Sequence, residues 1–97
     1  MATYLVLSKF TDQGAKNIKE SPARVEVARQ IFKKAGAEVK EFYALLGAYD
    51  TTMIVTAPDD TAVTQACLAL GALGNVHTQT LRAYNEKEYR EMIAKLP

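Results

Sequence analysis

With 97 residues the chain has room for a single domain, residues 1–97, and for one core of modest buried fraction, so association with another surface adds much of its burial. Twelve basic residues against eleven acidic ones leave a net charge of +1, which excludes the one-signed field of a nucleic-acid-binding surface. No apolar run approaches the roughly 20 residues that cross a bilayer, the start lacks the features of a secretion signal, and the lone Cys67 has no disulfide partner, so the expectation is a cytoplasmic protein with neither membrane nor nucleic acid as partner.

Residues 3–10 are rich in β-branched and aromatic side chains and run into the turn cluster Thr11-Asp12-Gln13-Gly14, which predicts a first strand ending near Phe10. Between Asp12 and Glu20 only Ala15 and Ile18 are apolar, so a short helix or turn there has little to pack with. Ser21-Pro22 reads as the N-cap and first position of a helix, because a serine oxygen accepts an orphan amide and proline loses nothing there. Val25, Val27, Ala28, Ile31, Phe32 and Ala35 share one arc, and Gly36 supplies the positive φ that ends a helix over about 22–35. Strand character returns over 37–46, with Val39, Tyr43 and Leu45 assigned to one face and Phe42 and Leu46 to the other.

Gly47 and Asp50 suit a tight reversal over 46–51, and a third strand over 52–57 is stopped by Pro58. Asp59-Asp60-Thr61 caps a second helix whose apolar set is Ala62, Val63, Ala66, Cys67, Leu70 and Leu73, closed by Gly74-Asn75. Cys67 on that stripe reads as a core thiol, and Leu70-Gly71-Ala72-Leu73-Gly74 is no phosphate loop because it ends a helix instead of opening one. A fourth strand alternates over 76–84. Asn85-Glu86-Lys87-Glu88 has the form of a capping box before a last helix with the stripe Tyr89, Met92, Ile93 and Leu96.

The order β-α-β-β-α-β-α fits a four-stranded antiparallel sheet of order 4-1-3-2 with two helices on one face: an α+β, ferredoxin-like βαββαβ plan with a C-terminal helix. Both faces of its strands carry apolar residues, Leu5 and Leu7 against Tyr4, Val6 and Phe10, for example. The terminal helix can shield part of the second face, but a second copy buries it more economically, so a homodimer or higher oligomer is expected.

In this topology Lys9, Thr11, Asp12, Ser21, Arg24, Tyr49, Asp50, Asn75 and His77 come to one edge of the sheet, the end that holds the hairpin. Lys9, Arg24, Tyr49, Asp50 and His77 are the candidate ligand-binding residues, and the helix start at Ser21 faces the same edge, which suits a small polar or anionic ligand. Tyr49, Asp50 and His77 are the candidates for proton transfer. Each also has a structural role open to it: Asp50 as a turn former, Tyr49 packed over the hairpin, Arg24 snorkelling past the sheet end, His77 at the core edge. One histidine excludes a multi-histidine metal site, no paired carboxylates or Ser/His/Asp order appear, and no metal or cofactor is expected.

The segment Gly47-Ala48-Tyr49-Asp50, the opening Tyr4 to Gly14, Ile18-Lys19-Glu20-Ser21-Pro22, Ala57-Pro58-Asp59-Asp60 and Leu73-Gly74-Asn75-Val76 together resemble the GYD-domain family over nearly the whole chain. The resemblance implies a ferredoxin-like fold within the dimeric α+β barrel group, in which two sheets pack face to face. Related branches of that group include small cofactor-free oxygenases, cyclases and haem enzymes, often with substrate in a cleft between sheet and helices. The lone His77 at a strand start offers no haem-ligand arrangement, and fold alone does not carry activity. The expected function is a homo-oligomeric binding module of regulatory or accessory type; the alternative is a small cofactor-independent enzyme of oxygenase or isomerase type.

Overall fold

The computed structural model describes residues 1–97. Strand β1 (Ala2–Phe10) is interior to the sheet, antiparallel to β3 (Thr51–Ala57) on one side and to β4 (Val76–Ala83) on the other, with β2 (Glu38–Ala44) beyond β3. The resulting order, β2-β3-β1-β4, is 4-1-3-2 read from the other edge. Helices α2 (Ser21–Lys34) and α3 (Asp60–Ala72) join the strands, α1 (Asp12–Lys16) is a single short turn, and α4 (Glu86–Ala94) ends the chain. The fold is α+β and ferredoxin-like, with an added C-terminal helix.

Strand alternation decides which side chains meet the helices. Tyr4, Val6 and Ser8 of β1 are buried, as are Thr51, Met53, Val55 and Ala57 of β3, while the residues between them are only partly covered. Against these, α2 lays Ala28 and Phe32, and α3 lays Ala62, Val63, Ala66 and Leu70. Phe32, Val6, Val55 and Val63 are the largest fully buried side chains, each contributing about 1.5–3 kcal/mol through removal from water. Cys67 packs against this cluster with its Sγ 3.3 Å from Thr80 Oγ1.

Three local details depart from the sequence reading. Ser21 does not cap α2: a 3₁₀ turn over Ile18–Glu20 runs directly into the helix, and the Ser21 N–H already donates to Ile18. The anion-holding helix start expected there is thereby partly filled by the chain itself. Second, the β2–β3 register shifts between Val39 and Glu41, so Val39 and Phe42 oppose Val55 and Met53 and both face the helices. That bulge breaks the period of two, which strict alternation could not anticipate. Third, β2 stops at Ala44, and Leu46 stands fully exposed in a longer connection in which Gly47 takes φ +128.

The second face of the sheet is open. Its rows place Leu5 beside Ile54 and Leu81, and Leu7 beside Thr52 and Gln79, and none of these residues is buried. Helix α4 does not cover them: no residue of it is buried, and Tyr89, Met92, Ile93 and Leu96 are 41–63% exposed. The helix is nonetheless well formed, with the Asn85–Glu88 capping box and a 2.6 Å Glu86–Arg90 ion pair.

At the far end of the sheet the buried Tyr4 ring carries its hydroxyl to the rim, where it donates to Asp60 Oδ1. That hydrogen bond, then burial, pushes the Tyr4 hydroxyl up to about 12 from 10.0. Because the folded value is raised, the stabilisation is complete below pH 10 and is lost as pH rises from 10 towards about 12. Tyr4→Phe should therefore be less stable than wild type at pH 8, with the difference between their urea midpoints shrinking towards pH 12; a constant difference would show that the hydroxyl does not contribute in this way.

Candidate functional site

The edge of the sheet that holds the hairpin presents two surfaces. On the helix side, a cleft of about 310 Å³ opens between α2, α3 and the strands. Phe10, Val25, Phe42, Met53, Leu70 and Val76 contribute its apolar walls, and the partly exposed Val27 and Leu73 mark its mouth. Ser8 and Thr51 also line it, and they are the two buried polar residues of the protein. They stand opposite each other in the β1–β3 register, with Thr78 opposite Ser8 on the other side, so hydroxyls cross three strands at one level.

The other surface is the polar end of the open face. Lys9 is directly opposite His77 in the β1–β4 register, and both are exposed. Tyr49 reaches from the hairpin to the same strand, where its hydroxyl donates to Gln79 Oε1, two residues from His77. Lys9, His77 and Tyr49 are thus brought to one neighbourhood.

Arg24 belongs to the helix side. Its guanidinium donates to Asn17 O at 2.9 Å and to Gly14 O at 3.1 Å, tying the first turn of α2 to the segment after β1. It lines the cleft, but two of its donor directions already serve backbone carbonyls. Asp50 lies between the two surfaces and acts as a clasp: Oδ2 accepts the Phe10 N–H at 2.8 Å, its own N–H donates to Ser8 O at 2.8 Å, and its carbonyl accepts from Leu45. The amide its side chain satisfies is that of the neighbouring strand and not one within the hairpin. The five candidates therefore divide by surface, and no hydrogen bond joins Asp50, Tyr49 and His77 to one another. No group of three or more His, Cys, Asp or Glu side chains comes together to hold a metal.

A further clasp sits beside the first. Thr11 N–H donates to Asn75 O at 3.0 Å, and Thr11 Oγ1 donates to Gly74 O at 2.6 Å while accepting from Gly14 N–H. Gln13 adds Nε2 to Asn75 Oδ1 at 2.9 Å. Gly14 is buried against this turn, where any side chain would collide with the Asn75 carbonyl. The stretches Thr11 to Gly14 and Leu73 to Val76, separate in sequence, are two halves of one contact.

Pattern reading missed the cleft hydroxyls. A signal was present: Ser8 continues the inward parity of Tyr4 and Val6, and Thr51 that of Met53 and Val55, so two polar residues occupy core-facing positions.

These elements are those of a known family: its model, the GYD domain, matches residues 4–93. The chain belongs to the GYD-domain family. A relative from Thermus thermophilus, named glutamine synthetase and cystathionine beta-lyase binding protein, is 40% identical over 84 residues, spanning 86% of this chain and 88% of the relative. Among solved structures, TTHA0845 from Thermus thermophilus is similar with a TM-score of 0.57 at 23% identity, over 88% of this chain and 95% of that one. MtbAldR has a TM-score of 0.68 at 16% identity, and a feast or famine regulatory protein from M. tuberculosis complexed with L-methionine has 0.67 at 18%; each match covers 88% of this chain. The chain spans about half the length of these last two, 52% and 51%, and at such identities the likeness is one of fold.

In this GYD-domain protein the clasp predicts a graded response at Asp50. Asp50→Ala orphans the Phe10 amide and should cost about 1–3 kcal/mol in urea denaturation, whereas Asp50→Asn keeps an acceptor oxygen and should cost less than half as much. Equal losses from the two variants would show that the carboxylate charge, not its acceptor geometry, matters.

Proposed function

We propose that this GYD-domain protein is a homo-oligomeric binding module of accessory or regulatory type, whose partner is an enzyme engaged through α4. The observation that carries the reading is the α4 stripe: Tyr89, Met92 and Ile93 face solvent on a capped helix, and Leu96 just beyond its end is exposed as well. An amphipathic helix with no surface of its own to cover is suited to laying its apolar face into a groove of another protein. The 40% identical relative, named as a binding protein for glutamine synthetase and cystathionine beta-lyase, supports an enzyme as the partner. The open sheet face supports self-association: its centre, Leu5, Leu7, Ile54 and Leu81, is apolar, and a two-fold axis pairs such a patch with its own copy. Lys9, His77 and Tyr49 form the polar rim of that face and are its ligand- or partner-contacting groups.

Two of the three residues named for an enzyme reading have other uses. Asp50 secures β1, and Tyr49 is paired with an amide side chain that carries no proton-transfer chemistry near neutral pH.

The test uses purified full-length protein with purified glutamine synthetase and cystathionine beta-lyase from the same source. Light scattering at micromolar concentration should give a dimer or larger species, and interferometry should show saturable binding to at least one enzyme. A Met92→Asp/Ile93→Asp variant should keep the oligomer mass and lose at least tenfold in enzyme affinity. A monomeric wild type overturns the assembly; absence of binding to both enzymes, or unchanged binding by the variant, overturns the partner assignment.

A further inference from the structure

We propose that the cleft beneath α2 and α3 is a binding site for a small, largely apolar molecule carrying one uncharged hydrogen-bonding group, seated against Ser8 and Thr51. This is independent of the enzyme-binding reading, since α4 takes no part in the cleft.

The argument starts from placement. Thirteen of the buried side chains are hydrophobic, and the two polar ones both line this cleft, opposite each other across β1 and β3. Packing alone does not call for hydroxyls there, because alanine and valine fill the same volumes without desolvating a polar group. A molecule with a hydroxyl or carbonyl meets them with the hydrogen bonds that the surrounding Phe42, Met53 and Leu70 cannot offer.

Size and charge narrow the class. At about 310 Å³ the cleft is roughly twice the 150 Å³ that encloses benzene in an engineered cavity, which suits a molecule of two fused rings. Arg24, the one charged residue in the lining, has two donors committed to the Asn17 and Gly14 carbonyls. A carboxylate seated against Ser8 and Thr51 meets only hydroxyl donors while the Arg24 guanidinium stays on those two carbonyls, so a neutral group is favoured.

The experiment is a titration of ¹⁵N-labelled full-length protein with 2-naphthol and, separately, with 2-naphthoate, which share the ring system and differ in charge. Saturable amide shifts with 2-naphthol should concentrate on Ser8, Thr51, Phe42 and Leu70, and 2-naphthoate should bind at least tenfold more weakly. The near-isosteric Ser8→Ala/Thr51→Val variant, checked for a wild-type-like spectrum, should bind 2-naphthol about tenfold more weakly. If that variant does not fold, Ser8→Ala alone carries the same comparison with a smaller expected loss. No saturation at millimolar 2-naphthol, shifts on the open-face strand residues instead, tighter binding of 2-naphthoate, or a variant that binds like wild type each overturns the proposal. None of these outcomes bears on capture of an enzyme by α4, so failure of one reading is distinguishable from failure of the other.

Discussion

The structure depends on how β1 is held. It is hydrogen-bonded on both edges along its length, and where those ladders end, two separate loops take over: Asp50 receives the Phe10 amide and Asn75 receives that of Thr11. A strand interior to a sheet cannot leave amides unpaired at its buried end, since each orphan costs about 1–3 kcal/mol. Those two bonds bring the β2–β3 connection and the α3–β4 turn to the same end of the sheet. Arg24 fastens the intervening α1 segment to α2, and the mouth of the cleft is set by the same fastenings.

A four-stranded sheet with helices on one side has a second side to dispose of. Here polar residues ring the face but leave its centre apolar: Leu5, Leu7, Ile54 and Leu81 form one apolar patch across three strands, bordered by Thr52, Gln79, Lys9 and His77. Nor does α4 return to it, although its stripe is apolar enough to do so. The chain thus carries two unmatched apolar surfaces that do not satisfy each other. A sheet face and a narrow helical stripe call for different geometries of partner, which is why the occupants proposed are a second copy for one and a groove on a different protein for the other.

Much of this was legible from periodicity. Tyr4, Val6, Met53 and Val55 announce their strands by alternation, Ala62, Val63, Ala66 and Leu70 announce α3 by helical spacing, and the Asn85 capping box marks α4 to the residue. What escaped was set by contacts distant in sequence. The bulge between Val39 and Glu41 exists because β2 must bring both Val39 and Phe42 onto the core, and a pattern of period two cannot register an inserted residue. Ser21 fails as a cap because the 3₁₀ turn before it already occupies the helix entry. The candidate residues were placed at one edge correctly by topology, but an edge has two sides, and only the register shows that Lys9 and His77 lie on one while Arg24 lies on the other.

The Gly-Ala-Tyr-Asp segment illustrates why a family motif need not be a reaction centre. Gly47 supplies the positive φ that turns the chain. From there, successive residues are delivered to different places: Tyr49 to the open face through Gln79, Asp50 to the end of β1, Thr51 into the cleft opposite Ser8. Tyr49 and Asp50 precede β3 in the connection, so each is placed by its own hydrogen bond, and strand alternation begins only with Thr51. A requirement on Asp50 therefore follows from the fold without any substrate, and the same requirement holds Thr51 in register against Ser8. The observed role of the motif is then positional, since it sets the two surfaces that flank it.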